Sequence, residues 1–157
     1  MVIPVPRPAR VPAAADGAVG RRDLDDRAQV HDAVVAFYRE VVFDDVLGPV
    51  FDEVAEVDWA VHIPTLVDYW CRVLLGSPGG SRPLLGAHAD VHALEPLTAE
   101  MFDRWFGLWS ATVDERWAGP TADRAKAHAA RMAATLARKV SDLEWAPPDT
   151  RDRHVAP

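Results

Sequence analysis

Two histidines four residues apart, His88 and His92, are the side chains of this chain best suited to hold a reactive centre. A neutral imidazole nitrogen is a good donor to a transition metal, and an i, i+4 spacing sets two of them on one side of a helix. Rings crowd both flanks. Upstream stand Phe37, Tyr38, Phe51, His62 and Trp70; downstream stand Phe102, Trp105 and Phe106. An imidazole on a short segment between two ring-rich helices suits a flat iron macrocycle. A zinc pair is the competing metal reading. Zinc would want a third ligand close by, and Asp90 projects from a different side of the helix.

The elements that must position these groups read as helices throughout. Residues 24–43 set Val34, Tyr38, Val41 and Val42 on one face, with helical spacing. Gly48-Pro49 breaks the chain, and Phe51 follows the break. A second helix is predicted from about Asp58, carrying Leu66, Tyr69, Trp70, Val73 and Leu74, with Gly76 ending it. Residues 76–83 form a loop of Gly, Ser, Pro and Arg. A short helix over about 84–93 bears the two histidines. Thr98 can cap a long helix with Phe102, Trp105, Phe106, Trp109 and Val113 on one face. Gly119-Pro120 separates it from a last helix over about 121–140. No segment alternates as a half-buried strand would, so the fold class is all-α.

The chain has 157 residues, of which 49% are hydrophobic, enough for one domain with a buried core. Both ends differ from the middle. Residues 1–22 are rich in Pro, Ala, Gly and Arg and read as a disordered tail, and residues 143–157 read the same way. The folded domain is therefore expected over 23–142. The net charge is −7, while residues 1–22 carry +3 (four Arg, one Asp) and residues 143–157 carry −1 (two Arg, three acids), leaving −9 between them. A domain so acidic would repel a phosphate backbone, which argues against nucleic acid as a partner. The single cysteine, Cys71, allows no intrachain disulfide and reads as a buried, inert thiol. No apolar run approaches a membrane span, and the proline-rich N-terminus does not read as a signal peptide. A cytoplasmic protein is the expectation.

The order of these signals resembles the truncated haemoglobins, and their third group most. The resemblance covers about residues 24–140. Its carriers are Phe37-Tyr38, Leu47-Gly48-Pro49-Val50-Phe51, Trp59-Ala60-Val61-His62, Tyr69-Trp70, Leu74-Leu75-Gly76, Ala87-His88, Leu97-Thr98 and Phe102-Asp103-Arg104-Trp105. The family implies a globin-like, two-over-two helical sandwich around haem b. It implies the helix of residues 58–75 on the distal side and the segment 84–93 carrying the proximal ligand.

The resemblance assigns roles residue by residue. Counting from Trp70 with the family's loop length puts the iron ligand at His88; counting back from Trp105 with a shorter connection puts it at His92. The His-x-x-x-His arrangement also resembles the vertebrate globins, where the first histidine binds iron and the second lies by the haem edge, which favours His88 as ligand and gives His92 a place beside the cofactor. Tyr38 would donate its O–H to a bound ligand. His62 would be a distal histidine, although Pro64 two residues later leaves its aim open. Trp105 would be a second donor, Phe51 would wedge against the haem face, and Leu66 would line the distal side. Trp70 and Trp109 read as packing residues. Arg72, Arg82 and Arg104 are candidates to pair with haem propionates.

The expected function is binding of diatomic ligands (O2, NO, CO) at iron. Two donors beside the ligand would slow oxygen release, which suits oxidation of nitric oxide or peroxidase-like chemistry, fed by an unidentified reductase, more than oxygen transport. The alternative is a haem-free helical module that binds a partner through its aromatic face.

Overall fold

The computed structural model describes residues 20–54, 56–78 and 84–151. The N-terminal tail expected over 1–22 lies outside the described residues up to position 19. Helix α1 spans Arg27–Phe43, α2 spans Trp59–Leu75, α3 spans Leu84–Leu94, α4 spans Ala99–Arg116, α5 spans Pro120–Ser141, and a short α6 spans Pro148–Arg151. One turn of π-helix, Val50–Val54, precedes α2. Among the described residues the only extended pairing is a bridge between Arg22 and Trp117. The expected all-α class holds.

Local chemistry sets the helix ends. Asp26 caps α1 by accepting from the Gln29 N–H at 2.8 Å, Asp58 caps α2 through Ala60, and Thr98 caps α4 through Met101. Gly76 ends α2 with φ +66°, the left-handed conformation that glycine adopts without strain. Helix α5 is capped from a distance. Asp23 accepts from Thr121 N–H at 3.0 Å and Ala122 N–H at 2.7 Å, doing for α5 what its own Gly119 cannot. Gly119 is required there, since a Cβ would sit 2.6 Å from the Asp23 carboxylate.

Helix α1 packs on α2, and α4 on α5; α1 crosses α4 and α2 crosses α5 between the two pairs. Helix α3 lies against α5. The close approach to α5 follows from its buried face, where Ala122, Ala125, Ala129, Ala133 and Ala137 recur at three- and four-residue spacing. Trp109 is fully buried at the centre, stacked on Trp70 with ring centroids 4.5 Å apart.

Two readings of the chain ends need correction. Residues 142–151 do not behave as a tail. Trp145 is 7% exposed, packs on Phe102 and Phe106, and donates its indole N–H to Asp103 at 2.8 Å. A lone tryptophan in a Pro-rich stretch carries no periodicity, so pattern reading passed over it. At the other end, Arg22 accepts the Ala118 N–H at 2.9 Å. Leu24 is wholly buried.

Candidate functional site

A cavity of about 600 Å³ opens between α1, α2, α3, α4 and α5. That size suits a flat organic cofactor. Its wall is mostly apolar, including Phe37, Leu47, Phe51, Leu66, Met101 and Leu136, with a few polar groups set among the rings. Those polar groups include Tyr38, His62, Trp105 and His88.

Tyr38 and His62 share one wall. Tyr38 is 8% exposed and its ring meets Phe51, Trp59 and His62 at centroid distances of 5.8, 5.3 and 5.5 Å. Burial pushes its hydroxyl well above the ordinary tyrosine range, and the Trp105 indole, acting on the same hydroxyl, only partly offsets this. Tyr38 is therefore a neutral donor at any physiological pH.

His62 lies within α2, its N–H bonded to Asp58 at 2.8 Å. Pro64 is inside the helix but only removes one backbone donor near its start, so the helix runs on. The imidazole is lodged against Trp59 and Phe51. Desolvation and the nearby His88 both hold its pKa below the usual histidine value. Its Nε2 is buried and has no hydrogen-bond partner within the protein. An imidazole nitrogen left this way costs about 1–3 kcal/mol. The residue lines the cavity, but this nitrogen is itself covered by protein, so it is a cost carried by the empty fold.

The two candidate metal ligands part company. His88 is half-buried and lines the cavity. His92 is not among the lining residues: its Nδ1 accepts the Leu97 N–H at 3.0 Å and lies 3.4 Å from the Ser141 hydroxyl. It closes the turn after α3. Among the described residues no cluster of three His, Cys, Asp or Glu could hold a metal ion, so the zinc alternative gains nothing. Phe51, Leu66 and Trp105 also line the cavity.

The arginines are engaged elsewhere. Arg104 bonds Asp44 at 3.0 Å and also Asp45, tying α4 to the end of α1. Arg72 stands over the Tyr69 ring at 5.3 Å, and Arg82 lies outside the described residues. Pattern reading missed Trp59, which stacks on Phe51 at 5.9 Å and supports both Tyr38 and His62. Helix α5, which the family resemblance implies completes the pocket, supplies cavity wall through Met132, Ala133 and Leu136. Helical spacing marks such residues as inward-facing, and nothing in it separates core from cavity lining.

No protein-family model matches the sequence, and no curated protein does. Among solved structures, the chain is similar to the group III truncated hemoglobin from Campylobacter jejuni. The similarity has a TM-score of 0.67 at 20% sequence identity, covering 76% of this chain and 94% of that one. Among the described residues no helix is long and apolar enough to cross a membrane. The layered helix pairs, the short α3 and the ring-lined cavity between them make this a truncated-globin fold.

Proposed function

We propose that the cavity binds haem b and that the protein takes diatomic ligands, O2, NO or CO, at its iron. One observation carries the reading: a ring-lined cavity of about 600 Å³ with two imidazoles in its wall, His62 and His88, close enough for one to act on the charge of the other. The residues present fit the group. His88 would hold the iron, with Phe51 and Leu66 against the macrocycle. Haem supplies an iron that binds such ligands and exchanges electrons with them.

The chain's own residues do the rest. Tyr38 keeps its proton and donates toward the partial negative charge of a ligand. Trp105 acts on the Tyr38 hydroxyl and offers a second N–H. His62 stays neutral near pH 7, so its Nε2 is free to donate or accept according to tautomer. The apolar wall excludes water and strengthens each of these interactions. Donors so arranged retain bound oxygen, which favours nitric oxide oxidation or a peroxidase-like reaction over oxygen carriage. The first would need an electron returned by a reductase, and the second would take its electrons from its reducing substrate.

The test is the visible spectrum of the purified protein supplied with haem, ferric, then reduced, then under carbon monoxide. A Soret band that shifts and sharpens with carbon monoxide is expected. His88→Ala should abolish haem retention while His92→Ala keeps it. A protein that stays colourless sinks the haem reading, and the reverse pattern in the two variants sinks His88 as ligand.

A further inference from the structure

Tyr69 occupies an unusual position. Its side chain lines the cavity and is partly buried. Its hydroxyl lies 2.6 Å from His128 Nε2 on α5, with the Met132 sulfur at 3.3 Å. Behind it are two tryptophans. Trp70 meets Tyr69 edge-on at 5.6 Å and stacks on Trp109 at 4.5 Å, while His128 also meets Trp70 at 5.5 Å. Nothing in ligand binding requires this grouping. Burial, with the nearby Arg131 charge, holds His128 below the ordinary histidine pKa, so it is a neutral acceptor near pH 7.

We propose that Tyr69 and His128 form a proton-coupled redox pair, a relay that carries single electrons from donors at the surface to an oxidant in the cavity. Tyr69 gives up one electron toward the cavity as its O–H proton moves to His128 Nε2. This leaves a neutral phenoxyl radical beside an imidazolium. A surface donor of the phenol class then returns an electron to the Tyr69 oxygen. The proton goes back from His128, and the donor releases its own. The oxidant is hydrogen peroxide, which takes two electrons and two protons to become two waters, so two phenols are each oxidised by one electron. The peroxide step rests on the haem reading; the pair and its tryptophan neighbours do not. A phenol oxidised in this way need not enter the cavity. The proton acceptor is what makes the step accessible, because removing an electron from a phenol without its proton leaves a cation radical.

Pulse radiolysis of the haem-free protein with azide radicals tests the pair without any iron. Azide radicals oxidise tryptophan, and the tryptophanyl band should decay into the tyrosyl band by a first-order process independent of protein concentration. The chain has two tyrosines, Tyr38 and Tyr69, so the radical can be assigned. Tyr69→Phe should abolish the transfer and Tyr38→Phe should leave it. His128→Gln should slow it by about 10²-fold, the scale of one positioned proton acceptor, and remove its solvent deuterium effect. Circular dichroism confirms that each variant is folded. Transfer that survives Tyr69→Phe, or that ignores His128→Gln, overturns the proposal. With haem and peroxide supplied, freeze-quenched spin resonance should show a tyrosyl signal that Tyr69→Phe removes. A haem-loaded protein whose only tyrosyl signal comes from Tyr38 also overturns it. Failure to take up haem would instead strike the reading of the cavity and leave the radiolysis result standing.

Discussion

Replacing His62 by Leu should stabilise the haem-free protein. The imidazole is half-buried, its Nε2 has no partner within the protein, and its surroundings are the rings of Tyr38, Phe51 and Trp59. Leucine has similar bulk and no polar atom to strand. Removing an unsatisfied buried group is worth about 1–3 kcal/mol, less the imperfect fit of a new side chain, so a gain of about 1–2 kcal/mol is expected. With a urea m-value of about 2 kcal/mol/M, the unfolding midpoint should rise by roughly 0.7 M. The effect has a pH signature. The folded pKa of His62 lies below the unfolded value near 6.5, so the unfolded chain binds more protons between the two. Stability from keeping His62 neutral is therefore present above about pH 6.5 and is lost as pH falls from there toward the folded pKa, with a slope of up to about 1.4 kcal/mol per pH unit. His128 contributes in the same direction and remains in the variant. Urea unfolding of wild type and His62→Leu at about pH 7.5 and about pH 5.5 measures both terms. The variant's advantage should widen at the lower pH. A variant less stable than wild type at both values would mean that Nε2 is satisfied in solution and that the cavity wall is not under the strain argued here.

Three other outcomes are expected. Asp23→Ala should cost about 1–2 kcal/mol by leaving the first turn of α5 uncapped. Burial works against the Asp23 charge, but backbone donation from Thr121, Ala122 and Leu24 outweighs it, so its folded pKa sits below 3.8. That stability is present above about pH 3.8 and fades as pH drops through the lower folded value, so the variant's acid unfolding should be less steep in this range. Trp145→Ala should lower stability by about 3 kcal/mol in thermal or urea unfolding, as a buried indole with a satisfied N–H is removed; an unchanged midpoint would restore the tail reading of residues 143–157. Arg104→Ala should cost about 1–3 kcal/mol and leave haem retention intact, because the Asp44 carboxylate is nearly buried and would keep only the Val46 and Leu47 N–H groups, while the exposed Asp45 adds little; a clear loss of haem would put Arg104 at the cofactor edge.

How far the sequence could be read depended on whether one local signal sufficed. Asp58 and Thr98 announce helix starts and Gly76 announces a stop, so α2 and α4 were legible nearly to the residue, while the first helix was read as starting at 24 and starts at Arg27. Asp23 was not legible, because the helix it caps begins about a hundred residues later and the link exists only after folding. Trp145 failed for a related reason, since its partners Phe102 and Phe106 lie on α4. The site divides along the same line. His88, Tyr38, Phe51, Leu66 and Trp105 could be named from type, order and family resemblance. That the Leu97 N–H engages His92 could not be read in advance, because the contact is set by the turn after α3. The part played by Trp59 needed the packing of helices that no single segment encodes.

The residues hardest to interpret from local rules share a physical cause. Pro64 interrupts a helical donor series, His62 strands a nitrogen, and the rings around them enclose about 600 Å³ rather than closing on one another. Each is unfavourable for the empty fold. All three lie on α2 or on the cavity that it borders, while α4 and α5 behind the cavity keep to regular caps, an alanine seam and a fully buried Trp109. A ligand that fills the cavity and bonds His62 binds only the folded state, so it returns stability in proportion to RT ln(1 + [L]/Kd). Concentrating the unfavourable features on one wall, against a regular opposite wall, leaves the empty protein folded yet makes its stability depend on occupancy. With haem and carbon monoxide supplied to both, the unfolding midpoint of the wild-type chain should therefore rise by more than that of His62→Leu, because the leucine variant has already discharged the cost that the ligand would have relieved.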